Sequence, residues 1–193
     1  EQQNHAVIGQ TLVNLGNVQA EAGQPEHARA YYLEALDLLE TLGDHRALGV
    51  LYSNLALQDA ATGKTDEAIA NFKKALDLHR AVGNEEGLAV TYSQLGKTLL
   101  LAGQTHQAEW CLNNASEHFI KLGNEAGEAA ALRLLADLYE QRSDLQSALR
   151  CLERAVLVDQ RYQLPHLQQD VERLARLQDR WRQDRRPDAR ASR

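Results

Sequence analysis

The sequence predicts an all-α fold: a right-handed α-solenoid of four helix-turn-helix repeats plus a C-terminal capping helix. Three observations predict it. LGDHRALGVLYSNLA at residues 42–56 returns forty residues later as VGNEEGLAVTYSQLG and again as LGNEAGEAAALRLLA, and an earlier copy, HAVIGQTLVNLG, begins at residue 5. Self-similarity at a fixed period of this length marks stacked supersecondary units. The composition, 44% hydrophobic with only 5% aromatic residues and rich in Ala, Leu, Gln and Glu, favours helices over strands. Finally, small and large apolar residues recur in columns whose spacing places them on one stripe of a helix.

Repeat one, residues 5–43, carries Leu15 and Gly16 on its first helix. It turns at Gly23, carries Ala28, Tyr32 and Ala35 on its second helix and closes at Gly43. In repeat two, residues 44–83, the same slots hold Leu55, Ala56, Gly63, Ala68, Phe72, Ala75 and Gly83. Repeat three, residues 84–123, holds Leu95, Gly96, Gly103, Ala108, Leu112, Ala115 and Gly123. Repeat four, residues 124–163, holds Leu135, Ala136, Ser143, Ala148, Leu152 and Ala155, with Gln163 in place of the closing Gly. Small residues let paired helices approach, and the large ones fill the space beside them. A closing Gly supplies the left-handed residue past a helix end. The following Asp44, Asn84 and Asn124 are N-caps, with Glu85, Glu86 and Glu125 in the first turn. After repeat four, Pro165 fits the first turn of a new helix. Residues 164–183 then read as the capping helix, with Val171, Leu174 and Ala175 in the large, Leu and small columns. Residues 184–193 lack core-forming side chains and read as a disordered basic tail.

Charge divides the chain of net charge −6 into an acidic body and a basic end, residues 173–193 holding eight Arg against three Asp. Such a distribution is not that of a nucleic-acid-binding surface. No apolar run approaches the roughly 20 residues of a membrane span, and no signal-peptide pattern is present. The chain begins at Glu1 and has no Met, which reads as a fragment or a processed chain, and leaves open that it belongs to a larger protein. Cys111 and Cys151 share one slot in neighbouring repeats and read as small buried thiols of a cytoplasmic protein, since two further metal ligands are missing.

No catalytic motif survives inspection, so no enzyme activity, cofactor or metal is expected. Residues 61–68, ATGKTDEA, contain Gly-Lys-Thr, but a phosphate-binding loop requires another Gly five residues before Gly63, where Gln58 stands, and a preceding strand. The seven His residues form no HExxH, and no GxSxG elbow occurs.

The columns resemble the tetratricopeptide repeat (TPR), which pairs a small residue at its eighth position with Ala at its twentieth and twenty-seventh. The forty-residue length, against the usual 34, resembles the extended repeats of the Leu-Gly-Asn-repeat polarity adaptors and of bacterial TPR regulators. Departures are mild: the aromatic of the fourth position is Tyr52 and Tyr92 in the middle repeats but Leu12 and Leu132 at the ends. The resemblance implies a protein-protein interaction scaffold whose first helices line a concave, peptide-binding groove. Its groove positions fall on Asn14, Asn17, Ser53, Asn54, Ser93, Gln94, Lys97, Arg133 and Asp137. The inward side of the capping helix adds Arg173, Arg176 and Arg180. Amides can grip the backbone of an extended peptide, and the cations favour an acidic one. Asn17 and Asn54 match the amides of a chaperone-tail carboxylate clamp, but its basic positions hold Val13, Val90 and Gln94, which argues against that ligand. The alternative is a ligand-sensing or self-associating regulatory segment of a larger signalling protein or transcriptional regulator, with association through the terminal repeats.

Overall fold

The computed structural model describes residues 2–185, and among these residues the chain is helical throughout, with no strand. Nine helices follow in order: α1 Gln2–Glu21, α2 Pro25–Leu42, α3 His45–Ala61, α4 Thr65–Ala81, α5 Glu85–Leu101, α6 Thr105–Leu122, α7 Glu125–Gln141, α8 Leu145–Tyr162 and α9 Leu167–Asp184. Eight form four antiparallel pairs, α1 with α2 through α7 with α8, and α9 packs on α8. Together they make an all-α repeat solenoid.

Local chemistry sets the boundaries. Asp44, Asn84 and Asn124 each accept a hydrogen bond from a backbone N–H three residues on, at 3.0, 3.0 and 2.8 Å, so one orphan donor per helix start is satisfied. Asp144 caps α8 in the same way. The turns inside and between repeats pass through left-handed backbone, borne by Gly except at Ser143 (φ 59°) and Gln163 (φ 54°).

The core sits between the paired helices. The two Ala columns, Ala28, Ala68, Ala108 and Ala148 with Ala35, Ala75, Ala115 and Ala155, are completely buried, as are Phe72, Leu112 and Leu152. The close approach is real: a Cβ on Gly96 would meet Leu112 Cδ2 at 2.7 Å. The first helices contact one another directly, α1 with α3, α3 with α5 and α5 with α7. Second helices of successive repeats are held farther apart, so the first helices form the inner, concave layer.

Three expectations are corrected at the ends. Leu15 is 40% exposed although its counterparts Leu55, Leu95 and Leu135 are buried, because among the described residues no second helix packs ahead of α1. Val171 and Ala175 do not join the core: Val171 is 46% exposed, and the buried stripe of α9 runs through Asp170, Leu174, Leu177 and Trp181 instead. The helix is rotated because Asp170 is drawn inward to Arg133. Asp184 ends α9 rather than starting a tail, and residues 186–193 lie outside the described residues.

Candidate functional site

The concave layer carries a line of shallow depressions. One of ≈ 460 Å³ spans α1, α3 and α5 and brings together Ser53, Asn54 and Gln94 with Val50, Leu57 and Val90. A smaller one of ≈ 220 Å³ joins Ser93, Gln94 and Lys97 to Val90 and Leu134. A third, ≈ 510 Å³, lies where α5, α7 and α9 meet and holds Lys97, Asp137, Glu140 and Arg173. Asn17 and Asn54 share a fourth beside Tyr32 and Leu57. The helices thus assemble most of the expected residues along one surface. The groove floor is apolar through Val50, Leu57, Val90 and Leu134, which the forty-residue columns could have revealed: Val50 and Val90 stand in one slot.

The polar side chains are less free than the sequence suggests. Asn54 Nδ2 donates to Asn17 Oδ1 at 2.8 Å, and the Tyr32 hydroxyl donates to the same oxygen at 2.8 Å. Both lone pairs of that carbonyl are therefore used, while the NH₂ of Asn17 and the carbonyl of Asn54 remain for a ligand. Ser53 is tied to the buried Thr91 hydroxyl at 2.9 Å. Asn14 is exposed, accepting only from Gln10 at 3.3 Å. Ser93 and Gln94 make no side-chain hydrogen bond among the described residues and are the most available polar groups.

The expected basic end is corrected by its partners. Arg133 does not point a free charge into the groove: its Nε donates to Asp170 at 2.7 Å and its other donor reaches Asp159 at 3.2 Å. Both carboxylates are buried, and burial pushes the Asp159 carboxyl up against the opposing pull of Arg133. Arg173 pairs with Asp137 and Glu140, and Arg180 with Glu140 at 3.0 Å. Arg176 is exposed on α9 away from the depressions. Sequence alone missed the acidic partners because Asp159, Asp170 and Glu140 lie on other helices and outside the groove columns. Lys97 remains an exposed groove cation.

Beneath the ≈ 460 Å³ depression, His79 is buried between Gly49 and Gly87. Asn84 accepts the Gly87 N–H through Oδ1, so its NH₂ donates to His79 Nδ1 at 3.1 Å, which assigns a neutral ring. Burial, with Arg46 nearby, lowers its pKa.

Among the described residues no group of side chains could hold a metal ion, and no helix is long and apolar enough to cross a membrane. Tetratricopeptide repeat models match residues 46–113 and 87–160, and another such model matches residues 9–46. The sequence matches no curated protein. Similar solved structures include BtubC (BKLC) from P. vanneervenii, at 22% identity and a TM-score of 0.73, covering 91% of this chain and 82% of that one. A STAND protein with a tetratricopeptide repeat sensor from Pyrococcus horikoshii has 18% identity and a TM-score of 0.73 over 88% of this chain, which spans only 25% of that protein. A putative kinesin light chain with TPR-like repeats from Podosopora anserina has 17% identity and a TM-score of 0.68, covering 95% and 96% of the two chains. These likenesses show the fold alone.

Proposed function

The chain belongs to the tetratricopeptide repeat family, whose fold generally mediates protein–protein interactions, and on that premise we propose that it is a non-enzymatic scaffold whose concave groove holds an extended peptide segment of a partner. The observation that carries this is the row of unpartnered amide and hydroxyl groups, Ser93 and Gln94 with the free edges of Asn17 and Asn54, above the apolar floor of Val50, Leu57, Val90 and Leu134. Such a surface binds peptide backbone through the amides and alternate side chains through the floor. An acidic segment is favoured only where it takes Arg173 or Arg180 from Glu140, with Lys97 adding its charge. The two thiols, Cys111 and Cys151, are unpaired, which fits a cytoplasmic setting.

Selection of binders from a displayed peptide library tests this. Gln94→Ala should weaken the selected peptides by about 1–3 kcal/mol, the cost of a buried peptide group left unpaired, and Val90→Glu should abolish binding. Peptides that bind both variants at full affinity would place recognition elsewhere.

A second proposal has its own observation. Ile8, Leu15 and Val18 form an exposed stripe on α1, whereas their counterparts in repeats two and three, Leu48, Leu55 and Gln58 with Leu88, Leu95 and Thr98, are buried. Such a stripe suits stacking against a further repeat of a larger regulatory protein or a second copy of this chain. Sedimentation of the chain across a concentration series distinguishes a dimer from a monomer, and Leu15→Glu should dissolve any dimer.

A further inference from the structure

We propose that the convex side carries a second binding site, a pocket between α4 and α6 that takes one small amphiphilic acid, its apolar body inward and its carboxylate at Lys73 and Arg80. The repeat itself exposes the feature. Three equivalent gaps separate successive second helices, related by forty-residue steps. In the first, Arg29, Asp59 and Asn71 fill the space, Asp59 accepting from both partners at 2.8 Å. In the third, Glu109 accepts from the Tyr139 hydroxyl at 2.6 Å and from Arg142. The slots of Arg29, Asp59 and Asn71 become Ile69, Leu99 and Cys111 in the middle gap, and there a cavity of ≈ 510 Å³ remains. That volume lies in the range of small-molecule sites, about 300–1,000 Å³, and its apolar wall with a few polar groups is their usual lining.

The chemistry is one-sided. Ile69, Leu76, Leu95 and Leu99 are buried and form floor and walls. Cys111 completes them; burial pushes its thiol up to about 11, so it stays protonated and serves as apolar surface rather than as a nucleophile. At the mouth Trp110 is 58% exposed and meets Tyr92 edge-on, ring centroids 5.5 Å apart. Two cations stand at the rim. Arg80 donates to the Tyr92 hydroxyl at 3.2 Å and to Asp77 at 2.8 Å, and Lys73 is exposed beside them. Among the described residues Asp77 is the one carboxylate lining the pocket, so an anion meets net positive charge on a chain of net charge −6. A neutral apolar ligand would leave Lys73 without a counterpart, since Asp77 already pairs with Arg80, and a polar anion would leave the floor wet.

Calorimetric titration of the full chain with monomeric decanoate tests the assignment. One saturable site per chain is expected. Lys73→Glu with Arg80→Glu, both at exposed positions, should weaken decanoate about tenfold while leaving decanol binding unchanged. Leu99→Tyr, which copies the aromatic found at Tyr139 in the fourth repeat, should abolish both, with the helical circular dichroism retained. Should Leu99→Tyr fail to fold, the charge pair alone decides. No saturable heat with decanoate, or equal affinity in the charge variant, overturns the proposal. So does a signal that follows protein concentration instead of ligand, which would make this face an interface between copies.

Discussion

At Asn17 one carbonyl oxygen accepts from both Tyr32 and Asn54, so the amide ladder is partly a structural network and only partly a ligand surface. Asn54→Ala should therefore weaken peptide binding and also cost folding stability of about 0.5–1.5 kcal/mol, whereas Gln94→Ala should affect binding alone. Thermal melts beside peptide titrations separate the two effects. His79 makes a sharper statement at this scale. Its folded pKa lies below the ordinary value because burial disfavours the charged ring. The unfolded chain then binds the extra proton first, so stability is full above about 6.5, the unfolded value, and falls as pH drops from there toward the folded pKa. Protonation would also remove the acceptor that the Asn84 cap uses. Urea midpoints measured from neutral pH downward should fall more steeply for the wild type than for His79→Leu. Parallel slopes would mean that another group governs acid sensitivity.

α9 is an element held by charge as much as by oil. Leu177 is its fully buried apolar side chain, with Leu174 and Trp181 half-buried, while Arg133 bridges Asp159 of α8 and Asp170 of α9. Arg133→Met removes the counter-charge that, among the described residues, bonds both buried carboxylates, and should cost about 3–5 kcal/mol, with α9 amides exchanging first. Replacing Asp159 and Asp170 by Asn in the same chain should recover part of that loss, because the uncompensated charge is gone. A single Arg133→Met variant as stable as the wild type would contradict the bridge. Arg173→Glu should likewise loosen α9, since it sets like charge against Asp137 and Glu140. Arg180→Glu, half in solvent, should be mild.

Across the molecule the core forms three patches rather than one. The largest runs from Ala56 and Phe72 through Leu112 to Leu138; the patches around Leu12–Leu55 and Leu145–Leu177 flank it. A solenoid distributes stability along its axis through neighbour contacts, so amide exchange should be slowest in α4 to α6 and fastest in α1 and α9. Ala68→Leu, at a completely buried position in the large patch, should cost about 1–3 kcal/mol through overpacking. The loss should appear as faster exchange in α5 and α6 as well as α4. Exchange altered in α3 and α4 alone would show repeats that fold independently.

The forty-residue columns by themselves determined the helix pairs, the buried Ala and large-residue stripes, the Asp44, Asn84 and Asn124 caps and the left-handed Gly turns. These are legible because periodicity and capping are local, depending on residues within a turn or two along the chain. The same columns marked most of the concave surface, since a first-helix slot faces the same way in every repeat. Only the tertiary structure decided which polar groups there stay free. Arg133, Arg173 and Arg180 are neutralised by Asp159, Asp137, Glu140 and Asp170, 26 to 40 positions away in sequence or joined across helices. The rotation of α9 away from Val171, and the middle convex gap left empty beside two filled ones, are likewise tertiary outcomes. Charge pairing and cavity volume depend on distances between helices, which no spacing along one chain encodes.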